Sequence, residues 1–78
     1  MRARNMEELI QKKFDMLNEN DLQIWAYIVR HKEQCKQISI QQLAVFCHVS
    51  HTTILRFAKK LGFSGYSEMR SFLKWEDK

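Results

Sequence analysis

Residues 39–62 read SIQQLAVFCHVSHTTILRFAKKLG, and the reading of this stretch decides the fold. Ser39 followed by Gln42 is an S-x-x-Q capping box, and Ile38 is placed to staple onto Leu43, so a helix starts here. Ser50 stands as the N-cap of the next helix, with Val49 and Ile54 as its staple. Ile54, Phe57, Ala58 and Leu61 recur at i, i+3, i+4 and i+7, the apolar stripe of a helix with one face on a core. Gly62 supplies the left-handed residue that ends this helix, and Phe63 folds back on Phe57 or Ala58. Only the segment around Cys47, His48 and Val49 separates the two helices. Two amphipathic helices joined by so short a turn form a helix-turn-helix. Ala44 is small where the helices cross, and Leu43 and Cys47 point inward.

The helical period continues on both sides of this pair. From about Asn5 to Met16, the residues Met6, Leu9, Ile10 and Phe14 form one apolar stripe that continues to Leu17. Asn18 and Asp21 make a second capping box, with Leu17 placed to staple onto Leu22. In the helix that follows, Ile24, Tyr27 and Ile28 face the core, and Arg30, His31 and Lys32 suit the negative end of its dipole. A last helix begins near Ser64 or Ser67 and carries Tyr66, Met69, Phe72 and Leu73. Proline is absent and there are only two glycines, so the turn residues of a strand-rich fold are missing. The expectation is an all-α, compact five-helix domain over residues 1–78, with the helix-turn-helix at about 39–61. A chain of 78 residues supports one small core and leans toward a partner subunit.

Charge is placed unevenly. The net charge is +4, and the whole excess lies in residues 31–62, which hold five Lys or Arg against Glu33 alone. From Gln34 to Ser67 there is no acidic residue. One-sided positive charge suits a polyanion such as the phosphate backbone of nucleic acid. No apolar run is long enough to span a membrane, and no signal-peptide pattern is present, so a cytoplasmic location and no membrane partner are expected. Two cysteines, Cys35 and Cys47, are too few for a disulfide framework. Together with His48 and His51 they match no usual spacing of zinc ligands. No nucleophile or carboxylate pair accompanies either histidine, so no enzymatic activity, metal or cofactor is expected. Trp25 reads as core or interface, and Trp75 as a subunit contact or an exposed residue.

The outward face of the helix from about Ser50 to Leu61 carries His51, Thr52, Leu55, Arg56, Lys59 and Lys60. A recognition helix reads base edges near its N-terminus while flanking groups hold phosphates. His51, Thr52 and Arg56 are the right types for base edges, since Arg pairs bidentately with guanine and Thr offers a hydroxyl and a methyl. Lys59 and Lys60 come one turn later, in reach of the backbone. Ser39, Gln41 and Gln42 open the preceding helix, whose first amides favour a phosphate. The competing reading is a helical protein-interaction module that uses the same basic face on an acidic partner.

The stretch Ile38–Leu73, ISIQQLAVFCHVSHTTILRFAKKLGFSGYSEMRSFL, resembles the N-terminal domain of the RpiR family of bacterial transcriptional regulators. The likeness extends back through NENDLQIWAYIVRHKEQ at 18–34 and is most specific in VSHTTILRFAKKLGFSGYSEMR at 49–70. The resemblance implies a domain that binds double-stranded DNA, with recognition positions at Ser50, His51, Thr52, Thr53, Arg56 and Lys60. It also implies a following sugar-isomerase-type domain that senses a phosphosugar effector, which is expected to be absent from these 78 residues. A homodimer is expected, formed through the first helix with help from Trp75. The family usually has Gly where this chain has His48, so His48 is expected to sit in the turn with positive φ.

Overall fold

The computed structural model describes residues 4–76. They form six α-helices and no strand: α1 (Met6–Lys12), α2 (Glu19–Arg30), α3 (Lys32–Cys35), α4 (Ile40–Cys47), α5 (His51–Lys60) and α6 (Tyr66–Glu76). The ends of the expected 1–78 domain, residues 1–3 and 77–78, lie outside the described residues. The five expected helices correspond to α1, α2, α4, α5 and α6. The addition is α3, a single turn that restarts after His31 breaks α2 at φ −130°, ψ 43° and that buries Cys35 completely.

Local chemistry sets each start. The Asn5 side chain caps α1 by accepting the Glu8 N–H at 2.9 Å. At α2 the capping box is reciprocal, with Asn18 Oδ1 accepting from Asp21 N and Asp21 Oδ2 from Asn18 N, each at 3.0 Å. Ser39 and Gln42 do the same at α4. These bonds satisfy amides that a helix start otherwise leaves unpaired.

The expected stripe of the first helix is shorter than its period suggests. α1 stops at Lys12, and Phe14–Met16 form a 3-10 turn. Three residues per turn rotate Phe14 off the face of Met6 and Ile10. Met6 and Ile10 are therefore buried, while Phe14 is 54% exposed. Elsewhere the periods hold. Ile24 and Ile28 of α2, Leu43, Ala44 and Cys47 of α4, Ile54, Phe57 and Ala58 of α5, and Tyr66, Met69 and Leu73 of α6 meet in one core, joined by Leu61 just past α5. Tyr27 is only half-buried and stacks on Phe46. Trp25 packs at the core edge, and Trp75 is exposed and stacks on Phe72.

Two long-range ties hold the outer helices. The buried Glu76 carboxylate accepts the Met6 N–H at 2.7 Å and pairs with Lys32 Nζ, which joins α6 to α1 and α3. The Tyr66 hydroxyl and Arg70 Nη1 both donate to the Ile38 carbonyl, at 2.9 and 3.1 Å, and so anchor α6 where the chain enters α4. Burial pushes the Tyr66 hydroxyl up to about 12 and the Cys35 thiol up to about 11. Both groups stay protonated and act as neutral core residues. Among the described residues no helix is long and apolar enough to cross a membrane.

Candidate nucleic-acid interface

α4 and α5 pack directly on one another and are joined by three residues. The turn is closed by two backbone bonds, Val49 N to Ala44 O at 3.0 Å and His48 N to Val45 O at 3.2 Å. That 6→1 and 5→2 pair is a Schellman motif, in which the residue that donates the 5→2 bond is left-handed. His48 takes that conformation, at φ 59° and ψ 40°, as expected. It is the single non-glycine residue with positive φ among those described. Its ring is exposed and, among the described residues, makes no hydrogen bond, ion pair or ring contact.

Ser50 then caps α5, accepting the Thr53 N–H at 3.2 Å, and its hydroxyl lies 3.0 Å from the Thr53 hydroxyl. The buried face of α5 is Ile54, Phe57 and Ala58, each fully enclosed. With about 100° between successive residues, this leaves Thr52, Arg56 and Lys59, at i, i+4 and i+7, as the stripe pointing away from the core. All three are exposed. α5 has no acidic residue in its first turn and ends in two lysines.

The ten expected site residues fall into three groups. Gln41, His51, Thr52, Arg56 and Lys59 are exposed, and among the described residues their side chains have no protein partner. Ser39, Gln42 and Ser50 use side-chain oxygens to cap their own helices, and the Thr53 hydroxyl pairs with that of Ser50. They frame the interface as part of its scaffold. Lys60 stands apart from its neighbour Lys59. Its ammonium lies 2.6 Å from Oδ2 of Asp21, a carboxylate that is 2% exposed. Sequence reasoning had placed Asp21 only as a helix cap. A partner 39 positions away leaves no local signal.

Apolar surface is also present beside the turn. Val45 is 69% and Phe46 40% exposed. Phe46 lines a groove of about 260 Å³ with Gln23, Tyr27, Arg30 and His48. Leu55, expected on the outward face of α5, is half-buried and lies against the turn at Gly65. Neither cysteine is bonded, and no group of three or more metal-ligating side chains forms among the described residues.

Comparison with known proteins agrees with a helix-turn-helix fold. A family model for the rpiR-family helix-turn-helix domain matches residues 4–78. The chain is 56% identical over 72 residues to the HTH-type transcriptional regulator GlvR of Bacillus subtilis, covering 92% of this chain and 28% of that protein. It is 34% identical over 67 residues to the HTH-type transcriptional regulator HexR of Pseudomonas aeruginosa, covering 86% and 24%. The chain thus spans about a quarter of the length of these relatives.

Proposed function

The chain belongs to the rpiR family of helix-turn-helix domains, and from that premise we propose that it reads a specific sequence of double-stranded DNA with α5 in the major groove. A DNA-binding domain of a transcriptional regulator, and not an enzyme, is what the family and the relatives support. The observation that carries the finer reading is the stripe Thr52–Arg56–Lys59, exposed and without side-chain partners among the described residues, on a helix whose other face is locked in the core. Thr52 and Arg56 meet base edges, together with His51 at the helix start. Lys59 meets the phosphate backbone. Gln41 and the first amides of α4 meet a second phosphate across the groove. Ser39, Gln42, Ser50 and Thr53 hold these elements in place.

The regulated genes belong to sugar or phosphosugar metabolism, and the effector binds a domain outside these residues; this part rests on the family resemblance alone. The domain works in the cytoplasm as a weak homodimer, for which exposed Phe14 and Trp75 are the apolar surface. Two-fold pairing matches half-sites about one helical turn of DNA apart. Sedimentation near millimolar concentration is expected to show the dimer, and a strict monomer there contradicts it.

Selection from a random duplex library tests the main reading. Enrichment of one common site is the expected result. Equal retention of all duplexes contradicts sequence-specific reading. A second reading has its own observation: the groove beside Phe46 carries Arg30 and His48 and no acidic group, which suits an acidic protein partner. Binding to acidic peptides with no duplex binding favours it.

A further inference from the structure

Lys59 and Lys60 are adjacent in sequence and identical in type, yet the fold treats them differently. Lys59 is exposed on the outward stripe of α5. Lys60, about 100° further round the helix, turns toward α2, which packs against α5. There it meets Asp21, whose Oδ2 also accepts the Asn18 N–H that closes the α2 capping box. The carboxylate is 2% exposed and the ammonium side chain 28%. An enclosed carboxylate is costly without a cation and a hydrogen bond, and this one has both. The pair therefore belongs to the folded scaffold, unlike an exposed surface bridge that exchanges freely with water.

We propose that Asp21 is a positioning residue for DNA recognition: it holds Lys60 off the phosphate backbone, fixes the rotation of α5 against α2, and leaves Lys59 as the lysine of α5 that binds phosphate. The inference rests on the DNA-binding reading above and refines it, because Lys60 contributes no counterion release. A free ammonium in its place would add a sequence-independent cation beside the groove. That cation would strengthen binding to every duplex and weaken the preference for one.

Salt dependence of duplex binding separates these roles, since each phosphate neutralised contributes about 0.9 to the slope of log K against log salt concentration. The test compares the unmodified chain with Lys59→Ala, Lys60→Met and Asp21→Asn on a selected duplex and a scrambled one. Asn at position 21 retains an oxygen for the Asn18 N–H and removes the charge that holds Lys60. Lys59→Ala is expected to lower the slope by about one. Lys60→Met leaves the slope as it was and narrows the affinity ratio between the two duplexes. Asp21→Asn raises the slope by up to about one and also narrows that ratio. A slope that falls as much with Lys60→Met as with Lys59→Ala overturns the proposal, because Lys60 then leaves Asp21 for phosphate in the complex. An Asp21→Asn variant with unchanged slope and unchanged ratio overturns it as well, and this arm decides the matter if Lys60→Met does not fold. Failure of the DNA reading looks different: the unmodified chain itself then binds neither duplex at low salt.

Discussion

The two helices of the helix-turn-helix end alike and differ in everything they show to solvent. α4 closes with Val49 N on Ala44 O and His48 N on Val45 O; α5 closes with Phe63 N on Ala58 O and Gly62 N on Lys59 O. The left-handed residue is His48 in one and Gly62, at φ 99°, in the other. α4 contains no charged residue and leaves Val45 and Phe46 exposed. α5 exposes Thr52, Arg56 and Lys59. Backbone chemistry thus builds both helices by one rule, while the outward residue types assign them different work. One carries an apolar flank, and the other carries the basic stripe for which DNA contact is proposed.

Removing the shared core should have the largest effect. Phe57 is fully enclosed, so Phe57→Ala is expected to cost about 3–5 kcal/mol in a denaturant titration. That is a large part of what a small domain has. Val45→Ala on the exposed flank of α4 should stay within about 0.5 kcal/mol. A comparable loss from both would mean that the flank is covered in solution.

Alkali should distinguish the two helices next. The buried face of α5 has no titratable group, whereas α4 buries Cys47 beside the Cys35 thiol and enters under the Tyr66 hydroxyl. Burial raises Cys35 from 9.0 to about 11 and Tyr66 from 10.0 to about 12. An acid whose folded pKa lies above its unfolded value stabilises the fold fully below the unfolded value. That contribution is lost as pH rises through the folded value. Stability should therefore fall between about pH 9 and 12, by at most about 3 kcal/mol for each group. Tyr66→Phe should remove one share of this loss in thermal melts taken across that range. An unchanged alkaline profile in that variant would contradict the account.

The caps should give the smallest effect, with opposite signs at the two turns. His48→Gly relieves a left-handed residue and is expected to be neutral or to stabilise by up to about 1 kcal/mol. Gly62→Ala meets no atom within 4 Å, so strain alone remains, and it should destabilise by about 1 kcal/mol. Equal melting temperatures for both variants would show that the two motifs tolerate side chains equally. A clear loss in His48→Gly would reveal a contact of the exposed ring with something outside these residues.

Much of this was legible in the sequence because caps act over three or four residues. Asn18 with Asp21, Ser39 with Gln42, Ser50, and Gly62 each announce a helix end within their own neighbourhood. The stripe Ile54, Phe57, Ala58 and Leu61 likewise fixes which side of α5 faces out. Phe14 was misplaced because a 3-10 turn changes the period without changing residue types. Lys60 could not be told from Lys59, because its partner Asp21 arrives only when α2 packs against α5. Glu76 on Met6 and Arg70 on Ile38 are equally products of topology. Long-range polar pairs need the fold first, and the Lys60–Asp21 pair is one of them.

The central claim is that α5 reads bases through Arg56, and titration of Arg56→Ala on a selected duplex and its scrambled counterpart tests it most directly. The account predicts a loss of roughly tenfold or more on the selected duplex, with preference blurred at one base position and little change on the scrambled one. Equal losses on both duplexes would make Arg56 a phosphate clamp and contradict base reading by this residue.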